Sequence, residues 1–229
     1  METIAGRYTL KLGEGCFPLS TDSMVLADFV RLPKDARVLD LGSGCGTLGL
    51  LLCAKDARCT VTGLELTSCA HETALENIRD NGLDHRLYSI CADLRTIPSA
   101  LGKASFDLCV SNPPYFSGGA ASSKTPLARR EDACDPASLF AAAACMLRFG
   151  GDFYLVHKPE KLAQLCFEAS RAGLEPKQLR LVRHRSDGPI AMILLQCRKG
   201  GKPGLKIDEL SLYSPDGTPT EHRRRIYHE

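Results

Sequence analysis

The stretch Asp40-Leu41-Gly42-Ser43-Gly44-Cys45-Gly46-Thr47-Leu48-Gly49 decides the fold. An apolar run at 36–41 leads into it and Leu50-Leu51-Leu52 follows, which reads as a strand, a glycine-rich turn and a helix. Glycine lets the backbone take positive φ and brings N–H groups close to a ligand. Residues 44–49 match the dinucleotide fingerprint GxGxxG literally. Gly42 and the carboxylate of Asp40 extend the pattern to Asp-x-Gly-x-Gly-x-Gly, set on the end of the first strand.

Outward from the loop the alternation repeats. Cys59 to Leu64 reads as a second strand and Ser68 to Asn81 as a helix, with Ala70, Ala74, Leu75 and Ile78 on one face and Asn81-Gly82 closing it. Strands are predicted at 86–91 and 106–111. Asp135-Pro136 supplies an N-cap and a first-turn proline to a helix predicted to run to Gly150-Gly151, and Asp152 to His157 is the next strand. A helix is predicted at 160–172, then strands at 177–184 and 190–197. Ser186-Asp187-Gly188-Pro189 between them is short enough for an antiparallel return at the end of the sheet. A last strand is expected at 206–213. The predicted fold class is α/β: a doubly wound, mostly parallel, seven-stranded Rossmann-like sheet with an antiparallel last strand. Its ligands are expected beyond the C-terminal strand ends. The chain, 1–229, reads as a single domain with an N-terminal covering segment (1–35), a core (36–200) and a C-terminal strand and basic tail (201–229).

Composition narrows the class. The 229 residues are 44% hydrophobic and 24% charged, which excludes a disordered or collagen-like chain. The longest unbroken apolar run, Leu139 to Leu147, is nine residues, whereas a membrane-spanning helix needs about twenty. The N-terminus has a charge at Glu2 and no apolar core, so no secretory signal is read, and a soluble cytoplasmic protein is expected. Eleven cysteines are an odd number with no two closer than six residues, so neither a disulfide framework nor a paired zinc site is predicted. They read as reduced, mostly buried small hydrophobes, and no metal is expected.

The net charge of +2 divides unevenly: residues 1–110 carry 11 basic and 14 acidic side chains, residues 111–229 carry 18 and 13. Between Lys177 and Lys206 eight basic residues face one acid, Asp187, and the tail adds Arg223-Arg224-Arg225. Such a run is either a solvated face or a surface for a polyanion.

With its acid and its extra glycine, the loop at 40–46 resembles the S-adenosylmethionine loop of class I methyltransferases. The resemblance implies that cofactor, held by Asp40, Gly42, Ser43, Gly44 and Gly46, with the acid attracting the cationic amino acid end. Glu65, ending the second strand and followed by Leu66, is then placed to accept from both ribose hydroxyls. Asp93, between Ala92 and Leu94, would take the adenine amino group. Taken singly, each acid could equally be a helix cap or a solvated loop residue.

Ser111 leads into Asn112-Pro113-Pro114-Tyr115 after the fourth strand. This tetrapeptide is similar to the signature of methyltransferases acting on a planar amide or exocyclic amine. The lone pair of such a nitrogen is delocalised and must be localised before it attacks a methyl group. The Asn112 side-chain oxygen and the Pro113 carbonyl, held by fixed proline φ, can accept from its two protons, and Asn112 also borders the cofactor. Tyr115 offers a face for a flipped base, worth about 1–3 kcal/mol.

Further pieces resemble the bacterial family that methylates N6 of the adenine 3′ of the anticodon in a valine tRNA. Phe17-Pro18-Leu19-Ser20-Thr21-Asp22-Ser23 looks like its pre-loop motif, which lies against the cofactor's methionine part and supplies Thr21 and Asp22 to it. Arg129-Arg130-Glu131, Leu212-Tyr213 to Gly217 and Glu221 to Tyr227 resemble its later segments. The implied partner is tRNA, gripped by Lys124, Arg129, Arg130, Arg180, Arg183, Arg185, Lys199 and Lys202. Ser117 to Arg130 is expected to be mobile and to order over the substrate. A protein glutamine-amide methyltransferase, an enzyme acting on adenine N6 or guanine N2 of rRNA, and a silent RNA-binding subunit are the alternatives.

Overall fold

Period-two alternation builds the centre of the molecule. In strand β3 (Arg37–Leu41), Val38 packs on one face and Leu39 and Leu41 on the other. In β6 (Phe106–Ser111) Leu108 and Val110 share the face of Val38 and Cys109 that of Leu39, which Phe106 joins across an irregularity between Phe106 and Leu108. A sheet apolar on both faces must be covered on both. The computed structural model describes residues 2–4, 6–13, 16–113 and 135–227.

The other strands are β4 (Thr60–Glu65), β5 (Leu87–Cys91), β7 (Leu147–His157), β8 (Leu174–Arg185), β9 (Ile190–Lys199) and β10 (Lys206–Tyr213), in the order β10-β8-β9-β7-β6-β3-β4-β5. Helices α1 (Thr21–Phe29), α2 (Thr47–Lys55), α3 (Ser68–Asp80) and the C-terminal α6 (Glu221–Tyr227) contribute to the apolar cluster on the Val38 face. Helices α4 (Pro136–Met146) and α5 (Leu162–Arg171) contribute to the cluster on the opposite face. The chain runs outward from β3 through β4 to β5, then returns to the other side of β3 with β6. That reversal is the switch point at which open α/β sheets bind ligands.

Expectation and structure differ in three places. The main sheet has eight strands, since 206–213 forms β10, parallel to β8 at the edge. The antiparallel strand is β9 as expected, but it lies inside the sheet, between β7 and β8. Helix α4 stops at Met146 and the strand begins at once, because Gly150-Gly151 serves a register shift between β6 and β7 and not a helix end. Gly150 takes φ 78°, and a Cβ on Gly151 would lie 2.8 Å from the Asp107 carbonyl oxygen.

The sequence reading also missed a hairpin of β1 (Glu2–Ile4) and β2 (Tyr8–Leu10), whose Ile4, Tyr8 and Leu10 are buried on the α2 side. Of the cysteines among the described residues, five are buried (Cys45, Cys53, Cys59, Cys109, Cys197) and three are exposed (Cys69, Cys91, Cys145). Tyr115 and the segment Ser117 to Arg130 lie outside the described residues.

Candidate active site

At the end of β3 the chain must leave the sheet and start α2 within a few residues, and Gly42, Gly44 and Gly46 do this at φ 76°, 55° and 87°. The N–H groups of Gly42 and Ser43 donate to the Leu64 carbonyl (2.9 and 3.1 Å), tying the loop to the end of β4. The Gly44 N–H donates to the Glu65 carboxylate at 2.9 Å. Among the described residues a Cβ on Gly44 would meet nothing within 4 Å, so the loop presents bare backbone to the space beside it.

That space is a cleft of about 520 Å³. Its walls are the glycine loop, the 17–23 segment and the Asn112-Pro113 turn after β6. Of the residues expected at the cofactor, Asp22, Asp40, Gly42, Ser43, Gly44 and Asn112 line it. Asp40 is 1% exposed, and neither carboxylate oxygen has a hydrogen-bond partner among the described residues. Burial, reinforced by the neighbouring Glu65 charge, pushes its pKa up to about 8. The Ser43 hydroxyl is likewise buried without a partner among those residues. Orphaned groups beside a cleft fit a ligand bearing a positive charge and hydrogen-bond donors.

Ser20 caps α1, accepting from the Ser23 N–H at 3.2 Å, and its hydroxyl lies 3.3 Å from that of Ser23. The Asn112 side-chain N–H donates to the Ser23 hydroxyl at 3.0 Å. The end of β6 is thereby joined to the start of α1 across the cleft.

Glu65 stands behind the glycine loop. Its carboxylate accepts from the Gly44 N–H, the Thr67 N–H (2.9 Å) and the Thr67 hydroxyl (2.6 Å), three of about four acceptor positions. Leu66 is exposed, while Ala92 and Leu94 pack against the α4 side of the core. Asp93 caps a short 3-10 turn and is engaged by the Arg95 N–H and guanidinium, which hold its carboxyl below the usual range. The Thr21 hydroxyl accepts from Tyr227 on α6 at 2.9 Å and does not line the cleft.

Among the described residues the expected RNA cations do not form one free patch. Arg180 is held by Asp208 at 2.7 and 2.8 Å and lies over the Phe29 ring. Arg183 is paired with Glu209 and donates to the Gly188 carbonyl; Arg185 is paired with Asp187. Because β9 runs antiparallel, Lys199 and Lys202 emerge at the opposite end of the sheet from the cleft, and Lys199 Nζ donates to the Leu147 carbonyl. Lys124, Arg129, Arg130 and Pro114 lie outside the described residues.

Sequence reading set the Phe17–Ser23 stretch against the cofactor but singled out neither Phe17 nor Ser23, and it missed Thr67 and Asn77. Asn77 is 1% exposed; its side chain donates to the carbonyls of Lys11 and Cys45 and accepts from the Lys11 N–H, binding β2's exit to the glycine loop. An asparagine on the apolar stripe of the 68–81 helix was the available signal.

Comparison with known proteins places this geometry: the methyltransferase small domain matches residues 19–170, two thirds of the chain and every described wall of the cleft but Phe17 and Pro18. The chain belongs to this methyltransferase family. A tRNA1(Val) (adenine(37)-N6)-methyltransferase of Tolumonas auensis is 32% identical over 185 residues, covering 79% of this chain and 76% of its own. One of the same name from Aeromonas hydrophila is 31% identical over 219 residues, covering 87% and 84%. In fold, a predicted O-methyltransferase from Agrobacterium tumefaciens superposes with a TM-score of 0.76 at 20% identity, covering 91% of this chain and 96% of that one. The methyltransferase uses S-adenosylmethionine, and the bare glycine loop and the orphaned Asp40 carboxylate fit its uncharged sugar and cationic amino acid end. Among the described residues no cluster suits a metal ion and no helix is long and apolar enough to cross a membrane.

Proposed function

We propose that this methyltransferase acts on the exocyclic N6 amine of an adenine in RNA, namely adenine 37 in the anticodon loop of a valine tRNA. The relatives with this name support the RNA and the position. The observation that carries the chemistry is the Asn112 side chain, pinned to Ser23 at the rim of the cleft that Asp40 and the glycine loop floor.

S-adenosylmethionine supplies an electrophilic methyl group on a sulfonium sulfur. The protein's task is to turn a conjugated amine into a nucleophile. The Asn112 side-chain oxygen and the Pro113 carbonyl would accept hydrogen bonds from the two amine protons, which favours a pyramidal nitrogen with a localised lone pair; the methylated nitrogen then gives up one of those protons to solvent. Because Ser23 already fixes the Asn112 amide, little reorganisation is needed as charge develops. Asp40, giving up its proton as the cofactor enters, would pair with the ammonium of the methionine part, and Glu65 would offer its remaining acceptor capacity to the ribose.

The test is incubation of the purified protein with methyl-labelled S-adenosylmethionine and either total tRNA or total protein. Label in N6-methyladenosine of valine tRNA is the expected result. Label on protein glutamine, with none on RNA, overturns the reading in favour of an amide substrate.

A further inference from the structure

In the run Cys16-Phe17-Pro18-Leu19, Cys16 and Leu19 pack on the apolar core. Phe17 does not: it is 58% exposed, yet it lines the same cleft as Asn112 and Pro113. Its backbone is fixed on both sides, since the Cys16 N–H donates to the Gly13 carbonyl at 3.1 Å and the Leu19 N–H to the Glu2 carboxylate at 2.9 Å. Pro18 adds a locked φ. Phe149 and Phe167 are also exposed, at 77% and 65%, but neither borders the cleft. A large, half-exposed ring on a tied-down backbone at the mouth of the cleft is suited to receive a second planar group by stacking or edge contact.

We infer that Phe17 is a substrate-positioning residue, the aromatic wall against which the flipped purine seats as its amine reaches Asn112. The inference rests on the proposed RNA substrate. It assigns the β1-β2 hairpin a purpose, because Glu2 anchors the backbone two residues beyond Phe17.

The experiment uses the full chain, S-adenosylmethionine and total tRNA. Phe17→Ala is expected to lower kcat/KM for tRNA by roughly ten- to a hundredfold, the range of one lost base-aromatic stack. Cofactor affinity by calorimetry stays within about twofold, and Phe17→Tyr recovers most of the rate. The chain contains no tryptophan, so Phe17→Trp installs a unique fluorophore. Its emission is expected to be quenched when tRNA binds the protein loaded with S-adenosylhomocysteine. The assignment is overturned if Phe17→Ala methylates tRNA normally, if it loses cofactor affinity in proportion to rate, or if bound tRNA leaves the emission of the Phe17→Trp variant unchanged. A wild-type protein that transfers no methyl group to any tRNA overturns the substrate reading itself, and this assignment with it.

Discussion

The Asn112 side-chain amide donates to the Ser23 hydroxyl at 3.0 Å across 89 positions of sequence, joining the reaction turn to the N-terminus of α1. Ser23 is itself held by the Ser20 cap, so two short polar side chains of the pre-loop segment set the orientation of the group proposed to meet the substrate amine. Asn112→Ala is therefore expected to lower kcat about a hundredfold or more, as for loss of a group aimed at developing charge, with cofactor affinity nearly intact. Ser23→Ala keeps the amide but removes its bond to the hydroxyl, and a smaller loss of about tenfold is expected. Single-turnover rates and calorimetry on both variants check the order; equal losses of binding and rate would contradict it.

Glu65 serves the loop before it serves any ligand. Its carboxylate takes the N–H of Gly44, so Glu65→Ala strips the loop of a partner as well as removing the proposed acceptor for the ribose. Cofactor binding is expected to weaken by roughly 1.5–3 kcal/mol, the range for a hydrogen bond to a charged group. A lower melting temperature without cofactor should accompany it. Unchanged affinity for S-adenosylmethionine would remove Glu65 from the site.

Legibility in the sequence follows the range of the interactions. The glycine loop, the first four strands of the main sheet and the 68–81 helix are readable because periodicity and turn residues are local signals. Asp40 is readable as a candidate ligand group by its place on the strand end, and the structure sets it, buried, in the wall of the cleft. Partners far apart along the chain are not readable: Arg180 with Asp208, Arg183 with Glu209 and Tyr227 with Thr21 are matters of strand order and helix docking. The basic run at 177–206 shows as excess charge because most of its acids come from β10 and β7, outside the window in which the charge is counted. The hairpin of β1 and β2 escapes for another reason, since strands of three residues give too few alternations to register.

Asp40 makes the protein without cofactor sensitive to pH. Its folded pKa of about 8 lies above the ordinary carboxylate value, so the folded state binds the proton more tightly than the unfolded chain. Stability from this group is present below the unfolded value of about 4 and is lost as pH rises through the folded value. Integration gives about 3–4 kcal/mol lost between about pH 5 and pH 8. His157 works in the opposite sense, since burial pushes it down to about 4 and stability rises as pH climbs from there to the ordinary histidine range. Comparison of wild type with Asp40→Asn isolates the first effect: the difference in unfolding free energy between the two should change by about that amount over the range. Parallel stability profiles would show that the carboxyl is not protonated in the folded protein.

The paired arginines of β8 make a prediction about salt. A free cation that neutralises one phosphate adds about 0.7–0.9 to the magnitude of the slope of log affinity against log salt. Arg180 is half-buried, bidentate to Asp208 and stacked on Phe29, so it cannot turn to a phosphate without breaking the sheet edge. Arg180→Ala should cost about 1–3 kcal/mol of stability and leave the slope for tRNA unchanged. Arg183 and Arg185 lie near the C-terminal end of β8, the end that carries the cleft, and each is held by one acid, Glu209 and Asp187. An arginine already paired contributes to RNA binding only by surrendering that acid, so removing the acid should strengthen binding. Glu209→Gln with Asp187→Asn is expected to tighten tRNA binding and to steepen the slope by about one to two units, about 0.7–0.9 for each arginine released. Filter binding across a salt series measures it. If the double variant binds with the slope of the wild type, these two arginines are a solvated face, and the grip on RNA must come from other parts of the chain.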